Sequence, residues 1–297
     1  VELLVWNSQG ASGDQGRVRK WEVIWENGIA PRVPAVNPAL PPAPAGPRLP
    51  ADNFAFLMCE SGWAPWISQE AQVQVNGIYP LVADRTFADP ALVAASGFCT
   101  GALAVGATSF WIPWVNKIDS LKTNVRCSLG GFYVPSSKVD ATRWLHAGTR
   151  SMIYRKKMRR PMVRMSLGHY GQGLLVHMVH LTARRGPAEA ELQWLMNEVP
   201  KLTAGPVLIV GDININLLKS YPAFLPPPLI AAGGWTVLSS GEKTQKKGGE
   251  LDWGLLYDPH QSFAPGGLSA KVFEYPAAGS WNTSDHAVMR YVLTPRA

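Results

Sequence analysis

Several polar residues stand where apolar runs break off. Asn7 closes ELLVW, Glu60 follows FAFLMC, His180 lies near the end of GLLVHMVHL, and Asp212 and Asn214 follow PVLIVG. Asp252 opens DWGLLYD, and Asp285 and His286 precede AVMRYVLT. Apolar runs of this length read as strands, and strand ends carry their side chains to one rim of a sheet, where polar groups converge on a cleft. The residue types suit phosphoester hydrolysis. Carboxylate and amide oxygens such as those of Glu60 and Asn7 are hard ligands for Mg²⁺ or Mn²⁺. A histidine held by a carboxylate can deprotonate water. Asn and His donors fixed on strands can meet the charge that builds up on phosphorus.

Each residue also has a plainer explanation. Asp212 and Asn214 are common turn formers, and Ser284-Asp285 can cap a turn. Glu60 can be a surface carboxylate. His177 and His180 lie three apart in one strand, so alternation sends them to opposite faces. His146, His169 and His260 read as structural or solvent-facing.

The elements that must position these groups are short strands. ELLVW (2–6), NFAFLM (53–58), GGFYVP near Tyr133, RSMIYR (150–155), PMVRMSLG (161–168), GLLVHMVHL (173–181), PVLIVGDI (206–213), LDWGLLYD (251–258) and AVMRYVLT (287–294) all read as strands. A helix is expected over 17–27, stopped by Gly28, and another over 190–199, with Leu192, Leu195, Met196 and Val199 on one face. Residues 31–50 are too rich in proline for helix or ladder and read as a surface insertion. Residues 61–145 show little periodicity. Many strands with few helices predict packed sheets, not a doubly wound parallel fold.

Composition bounds the partners. The 297 residues are 46% hydrophobic and 16% charged, which is globular. A formal charge of +7 attracts phosphate-bearing partners, nucleic acid or an anionic membrane alike. Three cysteines (Cys59, Cys99, Cys127) without a CxxC spacing argue against structural zinc. The uncharged stretch from Pro90 to Asn116 is rich in Gly, Ser and Thr and contains Pro113, so it reads as strand and loop and no integral membrane span is expected. The chain starts at Val1, which fits removal of a leader.

The strings WNxQG, a strand-terminal Glu, VH, GDxN, LD and SDH occur in one order along the chain. In this the chain resembles the endonuclease/exonuclease/phosphatase superfamily, which includes pancreatic deoxyribonuclease and abasic-site endonucleases. WNSQGAS, the Trp21 region, RPMVRMSLG, GPAEAELQWLM and GGELDWGLLYD further resemble the DNA-cutting subunit of cytolethal distending toxins. The resemblance implies an α+β fold, a four-layer α/β/β/α sandwich of two mainly antiparallel sheets flanked by helices, in a single domain over 1–297. It implies a metal site at Glu60, with Asn7 and Asp285 near the ion, and Gln9 and Arg150 on the substrate. It implies that His180 contacts the scissile phosphate, Asp212 orients the attacking water, Asn214 steadies the transition state, and Asp252 holds His286 as general base. Three positions depart from the family pattern: Cys59 stands where Gln usually precedes the metal Glu, GDFN is GDIN, and SDHFPV is SDHAVM.

The expected activity is therefore Mg²⁺-dependent hydrolysis of DNA by a secreted, toxin-type endonuclease that acts in a target cell and its nucleus. Delivery subunits are its implied partners, with residues 90–116 as the candidate docking segment. The basic residues Arg17, Arg19 and Lys20 and the run RKKMRR (155–160) favour a nucleic-acid substrate, and the run also matches a nuclear-import signal. A phosphoinositide phosphatase with the same metal site and a catalytically degenerate binding module are the alternatives.

Overall fold

A computed structural model describes residues 1–8, 54–60, 81–82, 99–103, 108–112, 129–133, 141–145, 158, 160, 162–167, 174–225, 234–273 and 284–296. The strands are β1 (Glu2–Asn7), β2 (Phe54–Cys59), β3 (Leu81–Val82), β4 (Cys99–Leu103), β5 (Thr108–Ile112), β6 (Leu129–Tyr133), β7 (Ala141–Leu145), β8 (Met162–Leu167) and β9 (Leu174–His180). Helix α1 (Arg185–Glu198) and a 3-10 turn (Val199–Leu202) follow, then β10 (Val207–Asp212), β11 (Trp235–Leu238), β12 (Asp252–Tyr257), β13 (Phe263–Val272) and β14 (Val288–Pro295).

They form two sheets. One has eight strands in the order β13-β14-β1-β2-β6-β5-β4-β3, the other six in the order β11-β12-β10-β9-β8-β7. Each is mostly antiparallel and contains one parallel pair, β1 with β2 and β9 with β10. A parallel pair needs a long crossover, and α1 lies on the one between β9 and β10. The architecture is the expected α+β sandwich of two packed sheets with few helices.

Period-two alternation explains the layers. In the first sheet Leu3, Val5, Ala55, Leu57, Met289 and Tyr291 point inward and pack on Leu174, Val176, Met178, Leu208, Val210 and Leu256 of the second. The other face of the second sheet, through Leu175, Val179, Val207, Ile209 and Leu255, packs on Ala188, Leu192, Leu195 and Val199. The second sheet is thus buried on both faces, which is why β9 and β10 read as continuous apolar runs. On the far face of the first sheet, Leu4, Trp6, Phe56 and Met58 are buried as well.

The helix begins five residues before the expected 190, and Pro187 sits in its first turn, where its missing N–H removes no helical hydrogen bond. Within 61–145 lie β3 to β7, of which the sequence pattern picks out only β6. The uncharged segment 90–116 contains β4 and β5, an antiparallel pair in the eight-stranded sheet. The helix expected at 17–27, the proline-rich segment 31–50 and the strand expected at 150–155 lie outside the described residues. No described helix is long and apolar enough to cross a membrane.

Gly211 shows how closely β9 and β10 approach. Its φ is 136°, and a Cβ there would collide with the carbonyl oxygen of Val179 on β9. Gly211→Ala is expected to cost about 3 kcal/mol or more of stability, measured by urea unfolding. A loss below about 0.5 kcal/mol would show that the two strands separate easily.

Candidate active site

The strand register assembles the site. Across the second sheet, Asp212 on β10 is paired with His180 on β9 and with Asp252 on β12. Across the first sheet, Asn7 on β1 is paired with Cys59 on β2. All five continue the inward-facing alternation of their strands, so they meet at one end of the core between the sheets. Asn7 then bridges the sheets directly, its Nδ2 donating to Asp212 Oδ2 at 2.8 Å.

His180 lies between two acids. Its Nε2 is 3.6 Å from Glu60 Oε1 and 3.4 Å from Asp212 Oδ2. His286 sits on the other side of Asp212, with 4.0 Å between its Nε2 and Asp212 Oδ2. Its Nδ1 is 2.7 Å from Asp252 Oδ2, and its Nε2 is 3.7 Å from Asp285 Oδ1. Asn7, Glu60, His180, Asp212, Asp252, Asp285 and His286 therefore form one continuous cluster.

Local turn chemistry builds its edges. Ser284 Oγ donates to the carbonyl of Asn7 at 2.7 Å and accepts from His286 N at 3.1 Å, which pins the SDH loop to β1. The indole of Trp6 donates to the carbonyl of His286 at 3.0 Å. Asp212 works as both turn former and site residue. Its Oδ1 accepts from Asn214 N at 3.0 Å while its Oδ2 faces Asn7 and His180. Asn214 and Glu60 both have positive φ (57° and 49°), a conformation that Asn tolerates well and Glu poorly. The strained backbone at Glu60 turns its carboxylate toward His180.

Asn214 stands two residues beyond Asp212. Its Nδ2 donates to the carbonyl of Leu181 at 3.0 Å, tying the end of β10 to the end of β9. Gln9 and Arg150 lie outside the described residues. Arg160 closes the basic run 155–160 that favours nucleic acid, but its place beside the histidine is not legible in the sequence: its guanidinium contacts His180 Nε2 and donates to Leu181 O at 3.1 Å. The signal that could find it is its place at the head of RPMVRMSLG, directly before a strand antiparallel to the histidine strand. Sequence pattern does not single out Gln245, whose Nε2 is 3.2 Å from His286 Nε2.

Buried acids this close perturb each other. Burial first, then the charge of Asp252, pushes the Asp212 carboxyl up to about 7, against the opposing pull of His286 and Asn7. Burial disfavours a charged His286, but the charge and hydrogen bond of Asp252, with Asp212 and Asp285, overcome it and raise the ring to about 10. His180 moves the other way: burial, Arg160 and His286 hold it well below its usual range, so its ring is neutral. The field of Asp252, Asp212 and Asp285 favours the imidazolium form of His286.

Asp212, Asp252 and His286 present ligand atoms within 4.8 Å of one another. Asp252, however, is committed to His286 Nδ1 and only 1% exposed, whereas Glu60 is 22% exposed. The more exposed Glu60 carboxylate lies at the open side of the cluster, beside His180. The excess of buried carboxylate that drives Asp212 upward is the charge a divalent cation would offset.

No family model matches the sequence, and no curated protein is significantly similar to it. Solved structures are similar over nearly the whole chain. The cytolethal distending toxin of Haemophilus ducreyi aligns with a TM-score of 0.56 at 16% identity, covering 99% of this chain and 98% of that one. CdtB, the biologically active subunit of cytolethal distending toxin, gives 0.56 at 16% identity, covering 99% and 97%. An endonuclease/exonuclease/phosphatase family protein of Bacteroides thetaiotaomicron gives 0.50 at 11% identity, covering 99% and 97%. The chain thus shares its fold with these proteins, a deoxyribonuclease-like α+β sandwich. Within that fold it is similar to CdtB along its full length.

The Asp212 carboxyl provides a test. Its raised folded value means that stability is lost as pH climbs from the ordinary value of 3.8 through about 7. Asp212→Asn should therefore raise the Tm of the metal-free protein at pH 8 by roughly 3–8 °C, with little change at pH 4. A lower Tm at pH 8 would show that the carboxylate is not the strained group.

Proposed function

We propose that this chain is a divalent-metal-dependent phosphodiesterase that cuts DNA, a toxin-type endonuclease like CdtB. The observation that carries the reading is the convergence of Glu60, His180, Asp212 and the Asp252–His286 pair at one end of the inter-sheet core. Glu60, with Asn7 and Asp285, would hold Mg²⁺ or Mn²⁺, which when bound supplies Lewis-acid neutralisation of phosphate charge.

The chain's own groups divide the remaining work. Asp252 accepts from His286 Nδ1–H, which leaves Nε2 to take a proton from water. Asp212, 4.0 Å from that nitrogen, orients the attacking water. His180 is neutral, and its Nε2 faces the acids. Arg160 beside it supplies the fixed positive charge that grips a phosphate oxygen. Asn214 acts through the β10 turn and Leu181 O, and contributes to the transition state by holding that rim. His286 is available as a base at neutral pH only where positive charge among the carboxylates offsets the field that raises it.

The substrate choice rests on charge and likeness. The chain carries +7, and CdtB has the same fold. Secretion, delivery by partner subunits and action in a target-cell nucleus belong to the same proposal.

Nicking of supercoiled plasmid is expected with Mg²⁺ or Mn²⁺, loss in EDTA, and recovery on adding the metal back. His180→Ala and His286→Ala should each lower the rate about 10²-fold or more without unfolding the chain. Arg160→Ala should chiefly raise KM, through the lost phosphate contact. If phosphate release from a phosphoinositide outran nicking by orders of magnitude, DNA would be the wrong substrate. Wild-type rates in both histidine variants would remove the assignment of the centre.

A titration adds a second check. In the metal-free protein His286 contributes stability that is fully present below its unfolded value near 6.5 and is lost as pH rises through about 10. The imidazole signals of His286 should therefore report a protonated ring at pH 8. A neutral ring at that pH would contradict the field described for Asp252, Asp212 and Asp285.

A further inference from the structure

The turn between β11 and β12 reaches back into the site, and one of its side chains lies against the proposed base. Gln245 is bridged in antiparallel fashion to His286, outside both sheets. Its backbone is pinned on two sides. Thr244 N and Gln245 N donate to Gly249 O at 3.0 and 3.1 Å, while Lys246 N donates to Asp285 O at 2.8 Å and Ala287 N to Thr244 O at 2.7 Å. Thr244 is fully buried, and its Oγ1 accepts from Leu251 N and Asp252 N at 2.9 Å each. The turn is therefore anchored to both members of the Asp252–His286 pair.

From this anchor the Gln245 carboxamide extends between two site residues. Its Nε2 is 3.3 Å from Asp285 Oδ2 and 3.2 Å from His286 Nε2. The amide donates to Asp285 Oδ2, and the same nitrogen lies against the His286 ring at Nε2, so the carboxamide packs between the two residues. The opposite end of the amide lies against Gly248, where a Cβ would collide with Gln245 Oε1. A backbone without a side chain at 248 is thus what lets the carboxamide lie in this place.

We propose that Gln245 is a positioning residue of the centre: its carboxamide fixes Asp285 and the Nε2 of His286 relative to each other, and Gly248 is glycine to admit it. The inference rests on the phosphodiesterase reading above and adds to it a residue pair supplied by the turn, not by a strand end. A base misplaced by a fraction of an ångström loses rate without losing substrate affinity, so the effect falls on kcat.

The test is plasmid nicking with Mg²⁺ on the full chain. Gln245→Met keeps the length and volume of the side chain and removes both donors. It should lower kcat about 10–100-fold with KM changed less than about 2-fold and Tm preserved. Gly248→Ala should push the amide aside and lower kcat in the wild-type background, but have no further effect in Gln245→Met, because the group it displaces is already gone. Equal losses from Gly248→Ala in both backgrounds would mean that Gly248 serves only the turn, and would overturn the coupling. A Gln245→Met chain that nicks at the wild-type kcat overturns this inference alone. A wild-type chain that does not nick overturns the phosphodiesterase reading and takes this inference with it.

Discussion

Two buried carboxylates held in register, Asp212 on β10 and Asp252 on β12, are the constraint on which the rest of the site depends. In a low-dielectric interior, burial and the neighbouring Asp252 push the Asp212 carboxyl up, and each of the two acids has partners that offset its charge. Asp252 is compensated by His286 at 2.7 Å. Asp212 is compensated in part by the amide of Asn7, across the gap between the sheets, and by the backbone N–H of Asn214. The arrangement stores unfavourable charge in the metal-free protein, a cost that is reasonable where a divalent cation is part of the working state.

The scaffold makes this strain tolerable. Each sheet has its parallel pair near the middle, β1 with β2 and β9 with β10, and both pairs end at the same rim. Continuous burial on both faces of β9 and β10 fixes the strands that present His180 and Asp212. Gly211 lets these two strands lie close enough for the register to hold. Glu191 of α1 accepts from both the backbone N–H and the hydroxyl of Thr182, which steadies the loop whose Leu181 carbonyl receives Arg160 and Asn214. Packing, caps and site geometry are in this way one connected system.

Much of this is legible in the order of residues alone. The strands bearing Asn7, Glu60, His180, Asp212 and Asp252 are apolar runs that alternation or full burial explains, and the polar residue at each end stands out against its run. The choice of His180 over His177 is one of parity: His177 points to the helix side, with Nδ1 3.4 Å from the sulfur of Met162, and His180 to the gap between the sheets. Strands β3 to β5, β7, β11 and β13 are not legible. They are short or carry glycine and threonine, which leaves little apolar alternation to read. Arg160 is marked only as part of a basic run and Gln245 not at all, since neither terminates an apolar run.

What the sequence by itself determined is the set of strand-end side chains and the chemistry their types allow, because burial dictates the apolar pattern and leaves polar residues visible where it stops. What only the tertiary structure decided is who touches whom. The pairing of Asp252 with His286, the amide of Asn214 turned to Leu181, the approach of Arg160 to His180 and the reach of Gln245 are contacts between residues 20 to 41 positions apart. So is the upward shift of His286 to about 10, since Asp252 and Asp212 reach the ring only through the fold and add to its sequence neighbour Asp285. Side-chain identity sets what a group can do, but the field and the distances that select among those options arise from packing two sheets face to face with their strand ends at one rim.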